Sequence, residues 1–279
     1  VIESSLTTVS NQIAAEYIKS FPTFINVPCS KLGVNYGLVS DPVLTESHMT
    51  IGVAGQVYVN SPSESQPVTP AVEMPSWNAT GTENQIYLSE YTINSAAYAA
   101  AASGMAHILV TPSMIPANIP FHLNTQQLNG IIPGFTAKYG SNQPCDLSIK
   151  LVEPAPKLSI TPKGISGTMN GIFEIFVTQK DGTQQSALTL NLEAEVSGSL
   201  VIAKNKIFPT FKNATFTEVT ITQTELANLK PSLVKQNMNI MLMLMRGFIS
   251  EQVFSAGFPL PAPTGVSYKD ADGIFFDGY

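Results

Sequence analysis

Charge is what this chain has least of. Asp, Glu, Lys and Arg make up only 12% of its 279 residues, while 44% are hydrophobic. That is about half the charged share of an ordinary soluble domain, so much apolar surface must be hidden inside the fold or against something else. Basic charge is scarcer still: the net charge is −6, and Arg246 is the sole arginine. Affinity for phosphate backbones comes from clustered Lys and Arg, so the composition excludes nucleic acid as a partner. The same shortage weakens any electrostatic grip on anionic lipid headgroups. No apolar run approaches the roughly 18 residues that cross a bilayer. The expectation is a soluble protein with at most peripheral membrane contact.

Catalytic signatures are also missing. The three histidines, His48, His107 and His122, have no Cys, Asp or Glu beside them at ligand spacing, so no metal site is expected. Ser232-Leu-Val-Lys235 matches a Ser-x-x-Lys string, but without its companion motifs it carries no weight. There is no Gly-x-Ser-x-Gly elbow, phosphate loop or dinucleotide fingerprint. These absences imply a protein that is not an enzyme and needs no cofactor. Cysteine is limited to Cys29 and Cys145, each after a proline, and sequons stand at Asn78-Ala-Thr80 and Asn213-Ala-Thr215. Both features suit secretion or the lumen of the secretory pathway. A Cys29–Cys145 disulfide and two buried free thiols are equally open on cysteine arithmetic.

What is present is helical periodicity at three places and strand alternation between them. Ile2, Leu6, Val9, Ile13, Tyr17 and Phe21 recur at helical spacing, and Pro22 ends that helix near Ser20. A helix this regular at residue one is expected to continue a longer product, an arbitrary boundary being the alternative. Val34 to Val39 and Met49 to Val59 read as strands, with Gly52 and Gly55 marking bends. Residues 60–77, with Pro62, Pro67, Pro70 and Pro75, read as an exposed connection and the best domain boundary. Ser89 can cap a helix that runs to about Ser103, with Gly104 past its end. Period-two runs follow at 107–110, 146–152, 158–160, 173–178, 187–196, 199–207 and 211–222. A last helix spans about 230–256, with Pro231 in its first turn. It is roughly 40 Å long. Its middle, Ile240 to Met245, is apolar all round, so both faces need cover.

Four segments then carry a resemblance: NYGLV at 35–39, LSEYTINSAAY at 88–98, GFPLPAPTGV at 257–266 and GIFFDGY at 273–279. In these motifs and in their order the chain resembles the family of bactericidal/permeability-increasing protein, lipopolysaccharide-binding protein and cholesteryl ester transfer protein. The resemblance implies an α+β fold, a strongly bent antiparallel sheet rolled around a long helix as a tubular lipid-binding barrel. Part of a central sheet and the end of a preceding helix would accompany it. NYGLV would open a central-sheet strand, SEYTINSAA would start the first barrel helix, and GFPLPAPTGV would be the turn after the second. Residues 1–60 would hold the helix end and central-sheet strands, and 61–279 the C-terminal barrel, with 257–279 returning towards the central sheet. An N-terminal barrel would precede Val1. The family's usual disulfide lies in that barrel, so a Cys29–Cys145 bridge would be a departure. The basic tip of its lipopolysaccharide-binding members has no counterpart in these residues, which ranks endotoxin binding and innate immunity behind other roles.

The function implied is non-catalytic binding or transfer of phospholipid or another acyl lipid. On the first helix Ile93, Ala96, Ala97 and Ala100 share one face, and Tyr91, Tyr98 and Met105 the opposite one. On the second, Val234, Met238, Met241, Met245 and Phe248 form one stripe, and Ile240, Met243, Leu244 and Phe254 lie towards the other side. Alanine leaves volume, and methionine adapts to contents of varied shape. The lipid contacts expected are Tyr91, Ile93, Ala97, Ala100, Met238, Met241, Met245 and Phe248. The alternative is a structural or interaction module of an extracellular or granule assembly, with its partners covering the weakly charged surface.

Overall fold

The computed structural model describes residues 15–16, 19–28, 30–59, 85–115, 121–254, 257–261, 267–268 and 271–272, with Gln12 and Pro75; at 211, 244–254 and 271–272 the description is of the backbone. Gln12, Ala15, Glu16 and Lys19 are helical and lead into a turn at Ser20, whose amide donates to Glu16 O at 3.0 Å.

Three short strands follow: β1 (Phe24–Asn26), β2 (Leu32–Asn35) and β5 (Gln56–Val59) form an antiparallel sheet in the order β1-β2-β5. Between β2 and β5 the chain makes a separate hairpin, β3 (Val43–Leu44) with β4 (Met49–Thr50). NYGLV therefore closes a strand instead of opening one. Asn35 is the last residue of β2, and its Oδ1 accepts the Gly37 amide at 2.8 Å, an Asx turn that ends the ladder.

The second sheet dominates the molecule. β6 (His107–Val110), β7 (Cys145–Thr161), β8 (Gly164–Thr178), β9 (Gln184–Ala203), β10 (Lys206–Thr224) and β11 (Phe258–Pro259) run antiparallel in the order β11-β10-β9-β8-β7-β6. β12 (Ala271–Asp272) pairs β9 at Val201 and Ile202, beyond the point where β8 stops pairing. The separate runs expected at 146–152 and 158–160 are one strand, β7, whereas the run expected at 199–207 is cut by a turn, its first five residues completing β9 and its last two opening β10, which continues through 211–222. In β7 the break in alternation is a bulge between Val152 and Lys157, around Pro154 and Pro156. There β6 no longer covers the outer edge, so the missing proline amides cost no ladder bonds.

Strands this long, up to 20 residues, would reach about 65 Å if straight. Bulges make them curl instead. The β9–β10 pair shifts register three times, at Phe211/Asn213, Phe216/Glu218 and Ile221/Gln223, and β8–β9 once at Ile175/Phe176. Each bulge bends its strand and adds twist, which converts the ribbon into a half-barrel. Lys204 and Asn205, both at positive φ, make the two-residue turn between β9 and β10.

Among the described residues, α1 (Glu90–Ala102), α2 (Thr125–Ile131), α3 (Phe135–Tyr139) and α4 (Pro231–Phe254) attach to this frame. α2 and α3 were not expected from the sequence. Their hydrophobics fill the mouth of the half-barrel: Leu128, Ile132 and Phe135 join Leu147, Phe173, Ile175, Leu188 and Leu190 in the main core. A smaller core lies on the short sheet, where Val27, Leu32, Val34, Val57 and Val59 meet Ala96 and Ala99 of α1 and Phe258 of β11.

Candidate functional site

α1 stands between the two sheets and acts as a surrogate strand for both. The outer edge of β7 beyond its bulge meets the helix. Asn94 Oδ1 accepts the Leu158 amide at 2.8 Å, its Nδ2 donates to Leu158 O at 2.7 Å, and Glu90 Oε1 accepts the Ile160 amide at 2.7 Å. The edge of β5 meets another arc, where buried Ser95 Oγ accepts the Val57 amide at 3.0 Å and donates to Thr92 O. Gly55, at φ +60°, allows this approach, because a Cβ there would lie 2.7 Å from Thr92 Oγ1. The polar letters of SEYTINS thus satisfy backbone groups that an open sheet edge would leave exposed. They also divide the helix circumference. By helical spacing, Ile93, Ala97 and Ala100 project on one side of this wall, and Tyr91 and Tyr98 on the other. Ile93 is buried and the other four are half-buried.

The ring is completed by the proline-rich segment. Tyr36, directly after β2, donates its phenol to Pro259 O at 2.6 Å, and β11 carries that proline onto β10. Burial, followed by the charge of nearby Tyr268, pushes the Tyr36 phenol above its ordinary pKa, so it remains a donor. Gly257, at φ +60°, packs flat on Phe208, whose ring would stand 2.7 Å from an added Cβ. Tyr268 OH donates to Pro261 O at 2.6 Å, and Leu260 N to Asn205 O at 2.9 Å. Hydrogen bonds therefore run in a closed circuit from β2 through β5, α1, β7, β8, β9, β10 and β11 back to Tyr36. Three of the four motifs meet in it; GIFFDGY lies outside the described residues.

α4 lies along β10 and uses the same amide device as α1. Asn239 Oδ1 accepts the Phe216 amide at 2.7 Å and its Nδ2 donates to Phe216 O at 3.2 Å, while Lys235 Nζ donates to Thr217 O, the residue left without a partner by the bulge. Asn237 Nδ2 donates to Ile131 O at the end of α2. These bonds set the rotation of the helix. Val234, Met238 and Met241 point into the main core, and Met238 has no exposed surface. Leu233, Ile240 and Met243 face outwards, Ile240 51% and Met243 67% exposed. Two covered faces were expected; one is open. The side chains of Met245 and Phe248 lie outside the description. The expected lipid residues thus fall in separate places, with those of α1 along the wall between the sheets and Met238 and Met241 within the main core. Sequence reasoning recognised the Ile240 and Met243 side of α4 but had no means of telling which side meets the sheet, because that is set by Asn239 and its partner 23 residues away.

Cys145 is a free thiol in the structure. It is fully buried on β7 with its Sγ 3.5 Å from Gln143 O, and Cys29 lies outside the described residues. Burial, then the neighbouring Asp146 charge, pushes its thiol up to about 12. Asn213 is exposed on β10, and Asn78 lies outside the description. Among the described residues no three His, Cys, Asp or Glu side chains converge as metal ligands, and no helix is long and apolar enough to cross a membrane. Two shallow concavities are lined away from α1 and α4. One of about 480 Å³ lies over Phe24, Asn26, Lys31 and Tyr58, and one of about 290 Å³ beside Tyr139, Gln143 and Lys180.

Against known proteins, the model of the LBP / BPI / CETP family, C-terminal domain, matches residues 29–279. The chain is similar to bactericidal permeability-increasing protein of Rattus norvegicus, 22% identical over 92% of this chain and 53% of that protein. It is also similar to the same-named protein of Sebastes schlegelii, 26% identical over 61% of this chain and 35% of that one. BPI fold-containing family C protein of Homo sapiens is 20% identical over 88% and 48%. The crystal structure of lipopolysaccharide binding protein aligns with TM-score 0.47 at 19% identity, covering 91% of this chain and 54% of that one. The chain spans about half the length of the relatives it matches along most of its own length.

Proposed function

Because this chain belongs to the LBP/BPI/CETP family through that family's C-terminal domain, we propose that it binds an acyl lipid without catalysis, shielding the tails against apolar helix surface that the curled sheet does not cover. The observation that carries the reading is the open apolar side of α4, where Ile240 and Met243 stand uncovered on a helix whose other side is fully packed. A lipid tail covers such a face at a gain of about 0.8 kcal/mol per buried methylene, and no charged contact is needed. Ile93, Ala97 and Ala100 line the proposed space on α1, which turns Tyr91 away from it. Met238 and Met241, packed into the main core on the opposite side of α4, would back this face without lining it. The proposal includes a secreted or lumenal setting, a glycan on exposed Asn213, and a preceding barrel of the kind that the relatives' greater length allows.

The test is organic extraction of the purified protein with mass spectrometry, together with binding of a fluorescent phospholipid. Wild type should return lipid, and Ile240→Asp with Met243→Asp should lose most of it while melting as wild type. Extracts at background with no binding of the probe would sink the reading.

One observation favours a second reading, a structural or interaction module: the space around Met238 is filled by the protein's own side chains. Sedimentation at micromolar concentration separates the two. A strict monomer that carries lipid counts against the module.

A further inference from the structure

The β3–β4 hairpin belongs to neither sheet. Around it Leu38, Val39, Val43 and Leu44 are 45%, 65%, 57% and 54% exposed, so four aliphatic side chains crowd a short, protruding segment. Such a density is more than scattered surface hydrophobics produce. The polar groups of the tip are paired within it. Thr45 N donates to His48 O at 2.9 Å, and His48 N donates to Thr45 Oγ1 at 3.1 Å. At its base Val39 N donates to Gly52 O and Ala54 N to Gly37 O. These bonds lower the cost of bringing the tip to a membrane surface, and the open outer edges of the two-stranded hairpin are left to headgroups and water, so that only side chains need reach the apolar phase.

Charge chooses the surface. The formally charged residues of the segment are Asp41 and Glu46, and no lysine or arginine occurs between Lys31 and Lys138. An anionic membrane repels this tip, whereas a zwitterionic one does not. Protein interfaces are anchored chiefly by Trp, Tyr and Arg, which residues 38–50 lack. Resting on the lipid-binding reading above, we infer that the hairpin with Leu38 and Val39 is the element that docks the protein onto an electrically neutral phospholipid surface. The aliphatic residues insert, Asp41 and Glu46 stay at headgroup level, and the contact is insensitive to salt.

The experiment is flotation of the whole chain with phosphatidylcholine vesicles, and with vesicles in which part of that lipid is replaced by phosphatidylserine. Wild type floats with the first and less with the second. Val43→Asp and Leu44→Asp each reduce flotation about tenfold or more, by the cost of placing a carboxylate among lipid tails, and Val43→Trp strengthens it. Unchanged melting and unchanged extracted lipid in the variants show that fold and cargo are intact. Stronger flotation with phosphatidylserine, or Asp variants that float like wild type, overturns the inference. So does a wild type that never floats but changes from a larger to a smaller species on gel filtration when Leu44 becomes Asp, which marks a protein contact. If extraction returns lipid and flotation fails, docking falls and lipid binding stands; if flotation succeeds and extraction is empty, the reverse holds.

Discussion

Asn94→Ala tests whether side chains of α1 hold the two sheets together. The wild-type amide makes two bonds to Leu158, at 2.8 and 2.7 Å, and a third to Glu90 O within its own helix. Two net hydrogen bonds are worth roughly 0.5–1.5 kcal/mol each, and half-buried backbone groups left unpaired push the loss towards the upper end. Alanine returns about 0.5 kcal/mol of helix propensity. The expected cost is therefore about 2 kcal/mol, read as a lower midpoint in urea followed by far-UV circular dichroism with an unchanged slope. The loss should also be local. Amide exchange at Leu158 and Ile160 should accelerate more than at Val177, which lies in the same sheet and is paired on β7. Asn94→Asp should cost at least as much, because a carboxylate oxygen then faces Leu158 O in place of the donor. A loss below about 0.5 kcal/mol with unaltered exchange at Leu158 would refute the idea that α1 substitutes for a strand.

Gly257→Ala should cost about 2–4 kcal/mol in the same titration, combining a left-handed backbone with displacement of the Phe208 ring, whereas Gly104→Ala, at φ +75° with nothing within 4 Å, should cost only about 1 kcal/mol. Met238→Ala should lose about 2–5 kcal/mol of stability as a core truncation, and Met243→Ala less than about 0.5 kcal/mol, so that any effect of the latter on lipid content is a binding effect. The Cys145 thiol, pushed up to about 12 by burial and Asp146, should resist an alkylating reagent at pH 8 in the native protein and react promptly in urea. For Tyr36 the protonated phenol makes the bond to Pro259 O, and its pKa is raised above the ordinary 10.0, so its contribution is complete below pH 10 and declines as pH rises beyond it; Tyr36→Phe should flatten that alkaline loss of stability.

Elements with strong local punctuation could be read directly. Helix α1 occupies 90–102 between Ser89 and Gly104, and α4 starts at Pro231 and runs for 24 residues, because caps, proline and apolar periodicity are properties of neighbouring residues. The strands were also visible, but bulges at Pro154 and near Phe211 broke their alternation and made single strands look like pairs. Helices α2 and α3, of seven and five residues, are too short for periodicity to emerge, and packing against the half-barrel sustains them. The expected lipid residues show the same division: which side of each helix is apolar could be read from spacing, but which side is buried could not.

Composition and order along the chain were enough to establish a sparsely charged, strand-rich protein with two apolar helices after its first proline-rich connection, and the four motifs identified its family. They could not reveal why those motifs exist. Glu90, Asn94, Ser95, Tyr36 and Gly257 earn their meaning only when distant backbone arrives beside them: Ile160, Leu158, Val57, Pro259 and the Phe208 ring. A hydrogen bond between residues 64 or 223 positions apart leaves no periodic trace in the chain. It forms because curling brings an open sheet edge within reach of a side chain of the right length, and bonds of the same kind from Asn239 and Lys235 to β10 decide which side of α4 faces outwards.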